Sequence, residues 1–121
     1  MRRIFMAILA LTMATAMMAG DFVKVENGRF VRGGKPYYYV GANFWYGAVL
    51  GSEGSGGNRA RLRRELDEMQ RLGIDNLRIL VGADGLPGVE DKIEPVLQSR
   101  PGVYNDSILA GLDYLLTEMS K

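Results

Sequence analysis

The chain has 121 residues, of which 47% are hydrophobic and 24% are charged, and its formal net charge is +1. This composition excludes a disordered or low-complexity chain, and the small net charge argues against nucleic-acid binding, which needs a clustered basic face. The absence of cysteine and histidine excludes disulfides, thiolate chemistry and the commonest general base. Any acid–base chemistry must therefore use carboxylates, Tyr or Lys, and we expect no cofactor and no metal site.

Residues 1–19 have the pattern of a secretory signal peptide. Two arginines precede an apolar run over residues 4–11, and small residues follow it. The small-x-small pattern predicts cleavage after Ala16 or Ala19. The run is too short for a membrane span of about 20 residues. We therefore expect a secreted or periplasmic protein, without a membrane segment after signal removal, whose mature part is residues 20–121.

A hairpin is predicted at the start of the mature part. Residues 22–26 and 29–32 alternate apolar and polar side chains, and Asn27-Gly28 between them suits the positive φ angles of a type I′ turn. Gly33-Gly34-Lys35-Pro36 predicts a second turn. The aromatic-rich segment 37–45 then predicts a strand, and its lack of alternation indicates a strand covered on both faces.

A flexible glycine-rich loop over residues 51–57 precedes a predicted helix. The loop lacks the Lys-Ser/Thr pair of a phosphate-binding motif. Asn58 is placed to cap a helix over residues 59–72. One face of this helix is apolar: Leu62, Leu66 and Met69. Two oppositely charged pairs at a spacing of four residues indicate a solvated face: Arg61 with Glu65, and Arg64 with Glu68.

A second strand is predicted over residues 74–81, with Leu77, Ile79 and Val81 on one face and Asn76, Arg78 and Leu80 on the other. Residues 82–104, rich in proline and glycine, predict a long polar loop. The acidic residues of this loop lack the spacing of a calcium site or of a fixed catalytic pair, so we interpret them as solvated. Asn105 or Asp106 then caps a last helix with an apolar stripe: Ile108, Leu112, Leu115 and Met119.

The order strand, helix, strand, helix predicts a parallel α/β fold. Two parallel strands cannot bury both of their faces alone, and a complete (β/α)8 barrel needs about 250 residues. The sequence therefore predicts the N-terminal part of a larger enzyme, truncated after two βα units.

Four residues near the carboxyl ends of the two predicted strands are candidate site residues: Asn43, Trp45, Tyr46 and Arg78. This end of the strands carries the active site in an α/β barrel. A buried guanidinium needs a carboxylate or equivalent partner, so Arg78 is interpreted as an active-site residue, with a structural ion pair as the alternative. Trp45 suits stacking on a sugar ring and Asn43 suits hydroxyl groups. Packing in the core is the alternative for Trp45.

Residues 30–45, FVRGGKPYYYVGANFW, resemble the opening of glycoside hydrolase family 5 enzymes, especially their secreted β-mannanases. Residues 73–80, GIDNLRIL, are similar to the second barrel strand of that family, and residues 101–105 and 111–116 are also similar to mannanase segments. The resemblance covers nearly all of residues 21–121. It implies a (β/α)8 TIM barrel, of which this chain holds a capping hairpin and the first two βα units.

The resemblance also implies retaining hydrolysis of internal β-1,4-mannosidic bonds in mannan, glucomannan or galactomannan by two glutamates. Arg78 would orient the nucleophile and keep it ionised, while Asn43, Trp45 and Tyr46 would lie at or beside the subsites. Both glutamates are expected beyond Lys121, so no catalytic residue is assigned within this chain. The chain alone is expected to be inactive, and the remainder of the barrel is its implied partner.

Three alternatives stay open on the sequence alone. Another family 5 β-glycanase, such as a cellulase, would share the fold, because specificity depends on later loops. A small secreted carbohydrate-binding module would use Trp45 without catalysis, and it would bind mannan as a stable monomer without hydrolysing it. The third alternative is an unrelated α/β fragment.

Overall fold

The structure, a computed structural model, describes residues 22–121. The predicted signal peptide and both cleavage positions lie outside the described residues. The chain divides into two compact units, one ending at Tyr38 and the other spanning Tyr39–Lys121. No helix within the described range is long and apolar enough to cross a membrane.

The first unit is an antiparallel sheet of three short strands in the order β1-β2-β3. Asn27 and Gly28 connect the first two strands with φ angles of 50° and 73°, the left-handed values that a type I′ turn requires. The predicted hairpin is therefore confirmed, as is the second turn at Gly33-Gly34, which leads into the third strand. The strands are β1 (Lys24–Glu26), β2 (Arg29–Arg32) and β3 (Lys35–Pro36).

The second unit is built on a parallel pair of strands that two helices connect. The strands are shorter than the predicted segments, and Asn43 lies opposite Arg78 in their register. This strand–helix–strand order confirms the predicted parallel α/β pattern. The elements are β4 (Gly41–Asn43), α1 (Gly47–Gly51), α2 (Arg59–Arg71) and β5 (Asn76–Arg78).

The predicted polar loop 82–104 ends in a hairpin, so that prediction is wrong for residues 98–104. Strands β6 (Gln98–Arg100) and β7 (Val103–Tyr104) pair antiparallel across Pro101-Gly102. Both strands are too short to show the alternation that identifies a strand in a sequence. Helix α3 (Asp106–Met119) follows directly.

Asparagine side chains cap both long helices, as predicted. The Asn58 side chain accepts a hydrogen bond from the Arg61 amide at 2.9 Å. Of the two candidates for the last helix, Asn105 is the cap, since its side-chain oxygen accepts from the Ser107 amide at 3.1 Å. These bonds satisfy amide groups that the first turn of a helix leaves without a partner.

The core lies between the three helices and one face of the β4–β5 pair. Leu77 and Ile79 of the predicted second strand pack against this core, which confirms their shared face. The predicted stripes reach the core through Leu62 and Leu115, both fully buried, but Met119 is 44% exposed and lies beyond it. The remaining buried apolar side chains of the helices and of the turn before α1 are Phe44, Ala48, Val49, Leu50 and Ile108.

Helix α1 is an element that the sequence analysis did not predict. All five of its residues are buried, although its glycines disfavour a helix in isolation. The adjoining Ser52, assigned to a flexible loop, is also buried, and its hydroxyl donates to the Val49 carbonyl at 2.8 Å. The expectation of a flexible loop is therefore wrong for its first two residues, 51–52, because they pack within the core.

The expected burial of the first strand on both faces is also wrong. Tyr39 and Val40, which lead into β4, are 50% and 59% exposed. Helices α1, α2 and α3 supply the core side chains that cover the face carrying Leu77. The opposite face of β4 and β5 carries Asn43 and Arg78, which are exposed, and Asn76, which is partly buried.

Candidate functional site

Asn43 and Arg78 meet at the carboxyl ends of β4 and β5. They are directly opposite in the parallel register, and the Arg78 guanidinium donates through Nη1 to Asn43 Oδ1 at 3.1 Å. Successive side chains of a strand alternate between its two faces. Both side chains therefore project from the face that the helices do not cover.

Arg78 was expected to be buried, and the structure corrects this: the residue is exposed. Its described partner is a neutral amide oxygen, and it forms no ion pair within residues 22–121. A guanidinium has five N–H donors in a fixed planar arrangement. Arg78 therefore has donors that remain available for a carboxylate or a ligand hydroxyl.

Trp45 and Tyr46 follow β4 in a segment that backbone hydrogen bonds hold beside β5. The Phe44 amide donates to the Arg78 carbonyl at 2.9 Å, and the Leu80 amide donates to the Trp45 carbonyl at 3.3 Å. The pairing of the two segments thus continues beyond the strands. Trp45 is 45% exposed, so it is not a core residue within the described chain.

The Tyr46 ring is held between two aromatic neighbours. It meets the Trp45 ring nearly perpendicularly, at 83° with centroids 5.1 Å apart, and the Phe44 ring at 66° with centroids 4.7 Å apart. Edge-to-face contacts of this kind are favourable because the positive edge of one ring meets the negative face of the other. Tyr46 therefore connects buried Phe44 to exposed Trp45.

The Tyr46 hydroxyl is bound to helix α2. It donates to Glu65 Oε2 at 2.8 Å, while Arg61 Nε donates to Glu65 Oε1 at 2.5 Å. The Arg61 guanidinium also lies over the Tyr46 ring, 5.2 Å from its centroid. Tyr46, Glu65 and Arg61 form one connected group, which we call the tyrosine clamp.

The charge states of the clamp follow from these contacts. Burial raises the pKa of Glu65, but hydrogen bonds from Arg61 and Tyr46 outweigh burial, and the net pKa is lowered. The hydrogen bond to Glu65, with burial, raises the pKa of the Tyr46 hydroxyl. At neutral pH Glu65 is therefore an ionised acceptor and Tyr46 a protonated donor.

The structure thus brings the predicted site residues together as two pairs: Asn43 with Arg78, and Trp45 with Tyr46. The sequence analysis missed the role of Glu65, whose spacing from Arg61 was interpreted as a solvated ion pair. That pair is present, but Glu65 also reaches Tyr46. The second predicted pair is not formed, because Glu68 bonds Arg71 instead, at 2.6 Å.

Two further features of the described residues bear on the site. Within residues 22–121 no group of three or more Asp or Glu side chains is placed to hold a metal ion. A groove of about 400 Å³ lies between α2, β5 and the end of α3, with Leu66, Leu77 and Met119 in its lining. None of the four predicted site residues lines it.

The comparison with protein families identifies residues 20–121 as a match to the glycoside hydrolase family 5 β-mannosidase-like family. Mannan endo-1,4-beta-mannosidase 1 of Oryza sativa subsp. japonica is 33% identical over 84% of this chain. Mannan endo-1,4-beta-mannosidase 7 of Arabidopsis thaliana is 30% identical over 85% of it. The chain spans about a quarter of the length of such curated relatives, between 22% and 28%.

The solved structures give the same result. A glycoside hydrolase family 5 mannosidase from Rhizomucor miehei superposes with a TM-score of 0.77 at 39% identity, over 83% of this chain and 25% of that one. A variant of that mannosidase, in complex with mannosyl-fructose, superposes equally well, with a TM-score of 0.77. From the family match, the related sequences and the shared fold together, we conclude that the chain belongs to glycoside hydrolase family 5, within its β-mannosidase-like group.

Proposed function

We propose that these residues form the N-terminal part of a (β/α)8 barrel in an exported glycoside hydrolase that cleaves internal β-1,4-mannosidic bonds with retention. The chain would contribute the capping hairpin and the first two βα units. Its substrates would be mannan, glucomannan or galactomannan, and its location secreted or periplasmic. The two catalytic glutamates would come from the rest of the barrel.

The observation that carries the proposal is the Asn43–Arg78 pair. The two side chains lie side by side at the carboxyl ends of a parallel strand pair. Barrel enzymes have their active sites at this end of the strands. Arg78 is cationic, exposed and without a carboxylate partner among the described residues. A glutamate nucleophile placed beside it would be oriented by its N–H groups and kept ionised by its charge.

The placement of Trp45 supports a sugar ligand. Its indole is partly exposed beside the same strand ends, and an indole face offers a flat apolar surface to the C–H groups of a pyranose ring. Asn43 supplies an amide that can bind a sugar hydroxyl. In this arrangement the chain binds one side of the glycan and positions the nucleophile, but carries out no bond cleavage alone.

A chimera tests this proposal. Residues 20–121 of this chain would replace the matching quarter of the Rhizomucor miehei mannosidase, to which they are 39% identical. We expect the chimera to hydrolyse mannohexaose, glucomannan and galactomannan, with retention measured by NMR of the released anomer. We expect the 121-residue chain alone to hydrolyse none of them.

A lysine substitution of Arg78 isolates the role of its guanidinium. R78K keeps the positive charge but loses the planar arrangement of donors, and we expect kcat to fall about 10²-fold in the chimera, as for a misplaced catalytic group. R71K is the matched control, because Arg71 is exposed and paired with Glu68 on α2. A folded chimera without hydrolysis, or an R78K variant as active as R71K, would contradict the proposal.

The same experiment distinguishes the alternatives. Faster hydrolysis of carboxymethylcellulose than of mannohexaose would identify a cellulase-like specificity. Tight binding of mannohexaose by the chain alone, together with an inactive chimera, would identify a non-catalytic carbohydrate-binding module.

A further inference from the structure

Trp45 is fixed by its backbone and by one neighbouring ring. Its carbonyl accepts from the Leu80 amide, and its indole packs edge-on against Tyr46 with centroids 5.1 Å apart. Trp45 is 45% exposed, and among the described residues Tyr46 supplies the one ring contact of its indole. The orientation of the indole therefore depends on where the Tyr46 ring lies.

Tyr46 is in turn held on several sides. The Phe44 ring lies against it on the core side, with centroids 4.7 Å apart, and the Arg61 guanidinium covers it at 5.2 Å. Its hydroxyl donates to Glu65 at 2.8 Å. Because Glu65 fixes the far end of the ring, it limits both rotation and displacement of Tyr46.

Glu65 differs from an ordinary surface glutamate. Its side chain is 27% exposed, against 54% for Glu68, which also pairs with an arginine on the same helix. Exposed ion pairs within one helix contribute little. The hydrogen bond from Tyr46, 19 positions away in the chain, connects helix α2 to the segment after β4, whereas Glu68 and its partner Arg71 both belong to α2.

We propose that Glu65 is a positioning residue that acts through Tyr46 to fix the orientation of Trp45 as a platform for a sugar ring. Arg61 holds the Glu65 carboxylate in place for this task. That a sugar ring is the ligand rests on the proposed function, whereas the dependence of Trp45 on Glu65 rests on the contacts of the tyrosine clamp alone.

The intrinsic fluorescence of the chain measures this dependence, because Trp45 is its one tryptophan. E65Q preserves the shape of the side chain but removes the charge that strengthens both hydrogen bonds. Y46F removes the hydroxyl and keeps the ring. E68Q is the matched control, with the same change of charge on the same helix. Emission maximum and acrylamide quenching would be measured for each variant, with far-UV circular dichroism to establish that the helices remain.

We expect E65Q and Y46F to shift Trp45 emission to longer wavelength and to increase its quenching, because the indole becomes more mobile and more hydrated. E68Q is expected to leave both quantities unchanged. If E65Q loses helical signal, Y46F decides the question, since it changes no residue of α2. Unchanged emission and quenching in a folded Y46F variant would overturn the proposal.

Titration with mannohexaose separates this inference from the proposed function. We expect E65Q and Y46F to weaken binding by roughly threefold to tenfold, the effect of one lost hydrogen bond, with E68Q unchanged. Equal binding by all variants, despite altered fluorescence, would overturn the platform role. Failure of the unmodified chain to bind would count against a mannan-binding site, while the fluorescence comparison still decides whether Glu65 positions Trp45.

Discussion

Gly51 of α1 and Gly111 of α3 lie back to back where the two helices cross. A Cβ atom on Gly51 would come within 2.2 Å of the Gly111 carbonyl oxygen, and a Cβ on Gly111 within 2.2 Å of the Ala48 carbonyl oxygen. Both obstacles are backbone atoms, which cannot move aside as the end of a flexible side chain can. The absence of side chains at these positions is what allows α1 to be buried against α3.

Substituting Gly111 by alanine is therefore expected to destabilise the chain. Helix propensity alone would favour G111A by about 1 kcal/mol, whereas the clash predicts a loss of about 1–3 kcal/mol or more in the free energy of unfolding. Urea denaturation followed by circular dichroism measures the difference. A110S, at an exposed position of the same helix, is the control, and a stabilised G111A variant would show that the helices are further apart than described.

Two neighbouring leucines of α3 test the location of the core. Leu115 is fully buried and Leu116 is 52% exposed. We expect L115A to lower the free energy of unfolding by about 2–5 kcal/mol through a cavity, and L116A to lower it by about 0.5 kcal/mol or less. Similar losses from the two variants in the same denaturation experiment would mean that α3 is rotated relative to the structure.

The pKa shift of Glu65 predicts that the chain loses stability at acidic pH. Its pKa is lowered on folding, so the contribution of Glu65 to stability is complete above its ordinary value, 4.5, and is lost as pH falls through the lower folded value. The charged or titratable groups that face it are Arg61, Arg64 and Tyr46.

Thermal unfolding between about pH 7 and pH 3 measures this loss of stability. We expect E65Q to remove part of it and E68Q to remove less, because the Glu68 pair is more exposed. Tyr46 has the opposite sign: its raised pKa gives a contribution that is complete below 10.0 and is lost as pH rises through the folded value. Parallel profiles for E65Q and the unmodified chain would contradict the clamp.

An aspartate in place of Asn43 tests the charge environment of Arg78. In the chimera, N43D would place a carboxylate beside the guanidinium and offset its effect on the nucleophile. A nearby like charge raises the pKa of that nucleophile, so we expect the acid limb of the kcat/KM profile to move to higher pH. N43A removes the hydrogen bond without adding charge and is expected to leave the limb in place. A limb that does not move in N43D would exclude the nucleophile from the vicinity of Arg78.

Local patterns in the sequence were sufficient to predict the hairpin, the caps and both long helices. Asn27-Gly28, Asn58 and Asn105 act through bonds and dihedral angles within a few residues, so their effects can be inferred without knowledge of the rest of the chain. The meeting of the strand ends that carry Asn43 and Arg78 was also predictable, since the order of strands and helices determines which strand ends meet.

Tertiary packing determined what the sequence analysis missed. Helix α1 forms despite its glycines because it packs closely against Gly111 of α3. This contact joins Gly51 and Gly111, which are 60 positions apart in the chain. The bond between Tyr46 and Glu65 has no local signal beyond the spacing of Glu65 and Arg61. Arg78 was expected to be buried because hydrophobic residues surround it in sequence, but burial depends on which faces of the sheet are covered.

The register that places Asn43 beside Arg78 also affects the order of folding. The two residues are 35 positions apart in the chain, as are Val40 and Asp75, which bond at the other end of the same strand pair. Closing so long a loop costs conformational entropy before its contacts form, and both intervening helices must fit within it. We therefore expect the strand ends to come together late, after α1 and α2 have packed around Leu62. Mutations of Leu62 would then slow assembly of the site, because Phe44 and Leu77, the sequence neighbours of Asn43 and Arg78, pack in the same core.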